Sequence, residues 1–269
     1  MSFKGAVNRA TGSRTVEWIA RAGYPVNGLL HLLIAYIIAR IAFGFAGEAD
    51  QTGALATLAE QRGGATSLWV VALGLVALAM WRLAETVVGL HPGEHSYAHL
   101  RDAPLINRLK AFGLALVYLA LAFTAAQFAL GVGRKGTERA EGLSARLMQT
   151  GEGKAVLVAI GLAIGAFGAY FVYKGAWRKF YGDLTVPGGR LLTVLGVCGH
   201  VAEGVVLIAA GLSVIGASFL RDPSRATGLD AAVEAVGRAQ FGQVLLLVAA
   251  AGFAAYGLYQ FALTRYSRM

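Results

Sequence analysis

The stretch AGYPVNGLLHLLIAYIIARIAFGF, from Ala22 to Phe45, decides the fold class of this chain. Its 24 residues contain a single charged side chain, Arg40, near the far end. At about 1.5 Å of rise per residue, a helix of this length crosses the roughly 30 Å hydrocarbon core of a bilayer with some tilt. The stretch therefore predicts a membrane-spanning helix.

The composition of the whole chain points to the same class of protein. Of its 269 residues, 57% are hydrophobic and 14% are charged, whereas soluble domains carry roughly 25% charged residues. The formal net charge of +9 would favour nucleic-acid binding in a soluble chain. Here the basic residues lie in loops beside apolar segments, as is typical of membrane proteins. We therefore expect contact with the lipid bilayer and no nucleic-acid partner.

Five more apolar segments follow the first, so the sequence predicts six spans with both termini on one side. The predicted spans are 22–45, 66–88, 107–131, 154–177, 191–216 and 241–264. The loops and span ends on the side of the termini have a net charge of +9, and those on the other side have a net charge of zero. Because cytoplasmic loops are enriched in Lys and Arg, we expect both termini to be cytoplasmic.

The spacing of landmark residues predicts three tandem copies of a two-helix unit. A connector glycine precedes leucine at helical spacing in each copy, and an aromatic residue follows that glycine after 28 residues. The glycines are Gly53, Gly142 and Gly228, and the aromatic residues are Trp81, Tyr170 and Tyr256. Each copy then consists of a span, an amphipathic connector helix and a second span. Parallel copies of this kind predict a pseudo-threefold axis along the membrane normal.

The predicted organisation assigns every residue to a repeat or to a connecting segment. Its parts are a basic N-terminal segment (1–21), repeat 1 (22–88), a histidine-containing loop (89–106), repeat 2 (107–177), a basic loop (178–189), repeat 3 (190–264) and a tail (265–269). The fold class expected from this organisation is an all-α integral membrane bundle of six transmembrane helices.

The repeated unit resembles a known bacterial membrane family. The motif Gly-Tyr-x-x-x-Gly opens the first span, from Gly23 to Gly28, and each copy has a Gly-Leu connector and an aromatic-rich second span. These features resemble a family catalogued as a domain of unknown function, number twelve-zero-six, which typically has three two-helix copies. Copy two departs most, with Gly113 and Tyr118 at the landmark positions. The resemblance implies a multi-pass protein of the bacterial inner membrane and supplies no activity.

A few polar side chains inside the spans are the candidates for function, because ionisable groups are costly there. His200 and Glu203 lie at i and i+3 on one helix face, and the repeat register aligns Glu203 with Asn27, one turn before His31. We expect Glu203 to point to the bundle interior, with Arg82 and Lys174 as its candidate ionic partners and His200 as a hydrogen-bonding one. The predicted intramembrane polar cluster consists of Asn27, His31, Arg82, Lys174, His200 and Glu203.

Two interpretations of that cluster remain open at this stage. One is a path for an ion, a proton or a ligand near the pseudo-axis, and the other is a buried hydrogen-bond network that fixes helix packing. A further set of aromatic residues near the span ends predicts interfacial belts. These residues are Trp69, Trp81, Tyr170, Tyr173, Tyr256 and Tyr259.

A separate motif lies in the loop between repeats 1 and 2, where His91, His95 and His99 are spaced four residues apart. Imidazole groups bind Zn, Cu or Ni, so a divalent transition-metal site is one interpretation of this loop. The other interpretation is a solvated polar loop, because spacing alone is a weak signal. The sequence predicts no other cofactor.

The sequence contains no nucleophile elbow, phosphate-binding loop, dinucleotide fingerprint or zinc-protease motif, so we do not expect an enzyme. The leading hypothesis is a small-solute or ion transporter or channel with its path at the repeat interface. The alternative is a non-catalytic scaffold or accessory subunit of a larger membrane complex, with a membrane-protein partner or a second copy of itself. A water-accessible polar cavity containing Glu203 favours transport, and a dry core with an exposed apolar groove favours the scaffold.

Overall fold

The computed structural model describes residues 21, 23–88, 104–134, 136–185 and 189–267, and these residues form helices without any β-strand. Six of the helices are long and apolar enough to cross a membrane, which confirms the predicted number of spans. They are α1 (Gly23–Ala42), α3 (Gly64–Val88), α4 (Pro104–Ala129), α6 (Gly151–Ala176), α7 (Arg190–Leu220) and α9 (Gly242–Tyr266).

A short helix follows the first span of each repeat, as the connector glycines predict. These helices are α2 (Gln51–Ala59), α5 (Gly136–Leu147) and α8 (Leu229–Gly237). The start of α2 is capped by Asp50, whose carboxylate accepts a hydrogen bond of 2.7 Å from the Gly53 N–H. We call the end of the bundle that carries these three helices the connector end. The opposite end, where α1 begins and α9 ends, is the terminal end.

Spans that pack against each other come mostly from different repeats. Helix α1 packs on α3 and α9, α3 packs on α4, α9 packs on α7, and α7 packs on α6. The most extensive contacts join different repeats: α3 with α4, α6 with α7, and α9 with α1. Among the described residues, α4 and α6 scarcely touch each other although they are the two spans of repeat 2. The six spans therefore contact one another in the order α4, α3, α1, α9, α7, α6. The two helices at the ends of this order, α4 and α6 of repeat 2, leave an opening between them.

An apolar core fills the connector half of the bundle. Leu30, Ile34 and Ile38 of α1 pack with side chains of α3 and α9, and Leu55 of α2 closes the core from the connector end. Because lipid tails are as apolar as leucine, this core is held by close packing and not by removal of the side chains from water.

At the terminal end, the loop between α6 and α7 folds back against α7 and α9. Its short 3-10 helix, Lys179–Asp183, places Phe180 fully inside the protein. Backbone contacts tie this loop to the last residues of α9, since the Thr185 N–H donates to the Tyr266 carbonyl at 2.8 Å. The Arg21 guanidinium adds a bond of 3.1 Å to the Ser267 carbonyl, so the two ends of the described chain meet here.

Candidate functional site

A histidine from repeat 1 and a glutamate from repeat 3 meet in the bundle interior. His31 Nε2 and Glu203 Oε1 are 3.3 Å apart, and the two side chains are 6% and 12% exposed. The other ring nitrogen, His31 Nδ1, lies 2.8 Å from the backbone carbonyl oxygen of Asn27. Since a carbonyl oxygen can only accept a hydrogen bond, Nδ1 carries a hydrogen and Nε2 faces Glu203.

This pair joins two helices that otherwise scarcely touch within the described residues. Helices α1 and α7 both pack on α9, which places its aromatic side chains beside the pair. The ring centroid of His31 lies 4.9 Å from that of Tyr256 and 6.1 Å from that of Phe253. The second carboxylate oxygen, Glu203 Oε2, is buried and has no hydrogen-bond partner among the described residues.

His200 does not hydrogen-bond to Glu203, although the two residues lie one turn apart on α7. Its Nδ1 lies 2.7 Å from the Gly196 carbonyl oxygen, and its ring stacks on Phe180 at 5.3 Å. The edges of further rings complete an aromatic cage around this histidine. The cage consists of Phe171, Phe180, Tyr256 and Tyr259, whose ring centroids lie 5.0–5.5 Å from that of His200.

The cage corrects part of the predicted aromatic belts. Tyr256 and Tyr259 are 8% and 1% exposed, so they belong to the interior and not to the membrane interface. The reason is the loop at the terminal end, which brings Phe180 against α7 and α9 and covers both tyrosines. Trp81 is buried as well, whereas Trp69, Tyr170 and Tyr173 lie at the exposed surface.

The predicted pairing of Arg82 and Lys174 with Glu203 is wrong. Arg82 Nη1 lies 2.6 Å from Glu85 Oε2, three residues further along α3, and Lys174 Nζ lies 2.6 Å from Asp183 Oδ2 in the terminal loop. A carboxylate one helical turn away, or on the adjoining loop, pairs without any change of helix rotation. Glu203 lies deeper in the bundle, so it pairs with His31 instead.

The two ion pairs lie in the terminal half of the bundle. The side chains of Arg82, Glu85 and Lys174 remain 26%, 21% and 19% exposed although they belong to membrane spans. Tyr118 of α4 interacts electrostatically with all three and with Glu203. We call this set the terminal vestibule: Arg82, Glu85, Tyr118, Lys174 and Asp183.

The predicted cluster lacks three members of the vestibule, Glu85, Tyr118 and Asp183, and of these Tyr118 is the one that a sequence signal marks. The repeat register places Leu114, Val117 and Leu121 of copy two opposite the polar residues of the other copies, so copy two was expected to be apolar. Tyr118 occupies the position of Gly28 and Gly204 instead. Copies one and three carry a glycine at this position, where their helices approach closely. A bulky polar residue at the same position of copy two is therefore the sequence signal for Tyr118.

A metal site does not form within the described residues, where no group of three or more His, Cys, Asp or Glu side chains is arranged to hold an ion. His91, His95 and His99 lie outside the residues that the structure describes, so the transition-metal site of that loop stays a prediction.

Comparison with known proteins gives a family and one relative. The profile of the family described as Domain of Unknown Function (DUF1206) matches residues 22–89, 109–178 and 198–267. An uncharacterized protein of Bacillus subtilis (strain 168), YxxB, is 24% identical over 267 residues, which are 96% of this chain and 95% of that protein. No solved structure matches the chain. The three matches confirm the predicted tandem repeat, and each covers two spans wholly or in large part.

Proposed function

Because this chain belongs to the family described as Domain of Unknown Function (DUF1206), its role must be argued from its own site, and we propose that it transports a small solute or an ion. The observation that carries the proposal is the terminal vestibule, whose charged side chains stay partly exposed within the spans and whose Tyr118 interacts with the buried Glu203. Ionisable groups inside a membrane are rare and costly, and those facing an interior recess commonly mark a transport path.

The contrast between the two halves of the bundle supports a path that is open at one end. The terminal half contains the vestibule, whereas the connector half is filled by the apolar core around Leu30, Ile34 and Phe253. A transporter with internal repeats moves its solute by shifting one repeat against another around a central site. In this proposal the described state opens toward the terminal end, and the connector end opens when the repeats shift.

We place the protein in the bacterial inner membrane with both termini in the cytoplasm. The net charge of +9 on the side of the termini supports this orientation, because Lys and Arg are enriched in cytoplasmic loops. The vestibule then faces the cytoplasm.

Cysteine accessibility on one helix tests whether water enters the vestibule. Tyr118→Cys and Ala122→Cys are made in a Cys198→Ala background, and each protein is treated in lipid with a small water-soluble thiol reagent. Ala122 lies one turn beyond Tyr118 on α4 and is buried in the apolar core, so it is the matched control. We expect the cysteine at 118 to react and the cysteine at 122 to remain unmodified.

Flux measurements test transport itself. Proteoliposomes are given gradients of K⁺, Na⁺, Cl⁻ or H⁺ in turn, and flux is compared with that of empty liposomes. We expect flux of at least one of these ions, with a loss of flux when Arg82→Gln and Lys174→Gln are combined. Absence of flux for all four ions, together with an unreactive cysteine at 118, overturns the proposal for an ion and for any path through the vestibule.

A scaffold or accessory subunit is the second candidate, and the opening at repeat 2 favours it. Helices α4 and α6 each bury mainly small residues on one stripe and leave large apolar side chains exposed, such as Phe123 and Phe167. A transmembrane helix of another protein, or of a second copy, packs well on such a surface. Unreactive cysteines at 118 and 122, with a stable complex seen by native mass spectrometry from lipid nanodiscs, support this candidate over transport.

A further inference from the structure

We infer that His31 and Glu203 form a proton-binding site in which one shared proton joins α1 of repeat 1 to α7 of repeat 3. The inference rests on the proposed function, because it names the proton as the ion to which movement of the repeats is coupled. Its basis is the geometry of one side-chain contact and of the two helices that this contact joins.

The hydrogen bonds of His31 fix where the shared proton lies. Nδ1 donates its hydrogen to the Asn27 carbonyl oxygen at 2.8 Å, so Nε2 is the only ring atom available to Glu203. A single proton between Nε2 and Glu203 Oε1 satisfies both atoms. Either the carboxylic acid O–H donates to the Nε2 lone pair, or the imidazolium N–H donates to the carboxylate. Transfer of the proton from oxygen to nitrogen converts the first form into the second without changing the net charge of the pair.

Loss of the shared proton removes the attraction between the two groups. The Nε2 lone pair then faces a carboxylate oxygen, and two acceptors at 3.3 Å repel each other. A carboxylate without a donor is also costly inside a membrane, so the group is driven toward water in the vestibule. Uptake of a second proton instead leaves an imidazolium beside a neutral carboxylic acid, with a net positive charge. The contact is therefore strongest when the pair holds one proton.

The position of the pair makes its proton occupancy matter for helix packing. Within the described residues, α1 and α7 scarcely touch except where His31 meets Glu203, since α1 packs mainly on α9 and α7 packs on α6 and α9. Breaking this hydrogen bond leaves the two helices connected through α9 and through the connector helix α8. Proton release at the vestibule side thereby frees α7 to shift against α1 while α1 stays packed on α9, and relative helix movement of this kind is what alternating access requires.

The charges around the pair do not hold it in one state. Arg82 and Lys174 are each neutralised by a carboxylate, Glu85 and Asp183, at 2.6 Å. Tyr118 and Tyr256 interact electrostatically with Glu203, and Tyr118 interacts in turn with Arg82, Glu85 and Lys174. With the two bases paired, proton exchange at His31 and Glu203 is set mainly by the pair itself and by water in the vestibule.

Infrared difference spectroscopy of the full chain in lipid tests proton binding directly. A carboxylic acid absorbs apart from a carboxylate, so a pH step reveals a side chain that gains or loses a proton. We expect wild-type protein to show a titrating carboxylic-acid band that is absent from Glu203→Gln and retained in Glu141→Gln, an exposed control on α5. His31→Gln is expected to shift the pH at which the band titrates. A band that is unchanged in Glu203→Gln, or that does not respond to pH, overturns the inference.

Proton flux in proteoliposomes separates this inference from the proposed function. Wild-type protein is expected to dissipate an imposed pH gradient, Glu203→Gln to lose that activity, and Glu141→Gln, at an exposed position on α5, to retain it. Glu203→Asp keeps an ionisable group and is expected to retain partial flux. This variant shows whether the loss of flux in Glu203→Gln comes from the missing carboxyl group or from a failure to fold. A titrating band without flux of any ion overturns transport and leaves the proton site. Flux of K⁺ or Na⁺ that is independent of pH and of Glu203 overturns the proton site and leaves transport.

Discussion

Gly168 of α6 and Gly204 of α7 lie so close that a Cβ atom on either one would come within 2.6 Å of the carbonyl oxygen of the other. Gly28 of α1 and Gly257 of α9 make the same kind of approach, at 2.8–2.9 Å. Gly28 and Gly204 occupy equivalent positions in copies one and three, so one landmark glycine sets the helix distance at two of the interfaces between repeats. In a membrane, such close backbone contact is a main source of helix association.

Substitution of Gly168 by alanine is predicted to destabilise the bundle. The added methyl group meets backbone atoms of α7, and overpacking of this kind costs roughly 1–3 kcal/mol. Gly165 lies on the same helix, and a Cβ atom there meets nothing within 4 Å, so Gly165→Ala is the matched control. We expect a lower thermal midpoint in detergent for Gly168→Ala and an unchanged midpoint for Gly165→Ala. Equal midpoints for the two variants contradict the close contact between α6 and α7.

Asp50 at the connector end predicts a pH dependence of stability. Burial, opposed by a hydrogen bond from the Gly53 N–H and reinforced by the nearby Glu48 and Asp230 carboxylates, raises the pKa of Asp50 to about 6. Because the usual value is 3.8, the folded protein binds this proton more tightly than the unfolded chain does. The stabilisation is therefore fully present below about pH 4 and is lost as the pH rises through about 6.

The Asp50→Asn variant tests this dependence, since asparagine still caps α2 and never carries the charge. We expect the variant to match the wild type at low pH and to exceed its stability above about pH 6, by on the order of 2–3 kcal/mol. Thermal midpoints measured across the pH range report the difference. Asp222→Asn is the control of opposite sign, because hydrogen bonds from Ser224 and the charge of Arg225 lower the pKa of Asp222. That variant is expected to fall below the wild type as the pH rises, and a constant gap for Asp50→Asn contradicts the prediction.

The sequence predicts the spans, the connector helices and the repeats because each depends on local spacing. Apolar length sets the spans, and the glycine and aromatic landmarks place α2, α5 and α8 correctly. The register also gives the depth of Glu203 to within one turn of its contact with His31. Depth along a helix follows from counting residues, so these features need no knowledge of the neighbours.

The rotation of each helix and the order of the spans could not be predicted in the same way. Arg82 was a candidate partner of Glu203, yet Glu85 on its own helix is close enough to pair with it first. Tyr259 was expected at the interface, yet the loop with Phe180 covers it. Both outcomes depend on which elements surround a side chain. Those surroundings are known only once the helices are packed together, so a single sequence does not reveal them.

Phe180 is predicted to stabilise the terminal end more than any exposed aromatic residue of the same region. Its ring is fully buried, stacks on His200 and lies where Gly196 leaves room for it. Phe180→Ala leaves a cavity and is expected to cost roughly 3–5 kcal/mol. Phe167→Ala removes an equal volume from an exposed position on α6 and is the matched control. Chemical denaturation in detergent compares the two, and similar losses of stability would show that the loop does not fill the terminal end.

Metal binding by the loop of His91, His95 and His99 is predicted to depend on its last two histidines, because Pro92 and Gly93 disfavour a helix at the start of the motif. The double variant His95→Ala with His99→Ala is expected to lose bound Zn, Cu or Ni that the wild type retains. Elemental analysis of protein purified without an affinity tag of histidines measures the content. Equal content in both proteins, or none in either, contradicts the metal interpretation.

The orientation in the membrane is predicted from charge and can be tested with two glycines at opposite ends of the bundle. Gly142 lies on α5 at the connector end and Gly182 lies in the terminal loop, and both are exposed with nothing within 4 Å of an added Cβ atom. Each is changed to cysteine in a Cys198→Ala background, because Cys198 is itself exposed. Intact cells are then treated with a membrane-impermeant maleimide. If the basic side of the protein is cytoplasmic, the cysteine at 142 reacts in intact cells and the cysteine at 182 reacts only after the membrane is opened. The reverse pattern would place the terminal vestibule outside the cytoplasm, and proton release from His31 and Glu203 would then occur on that side.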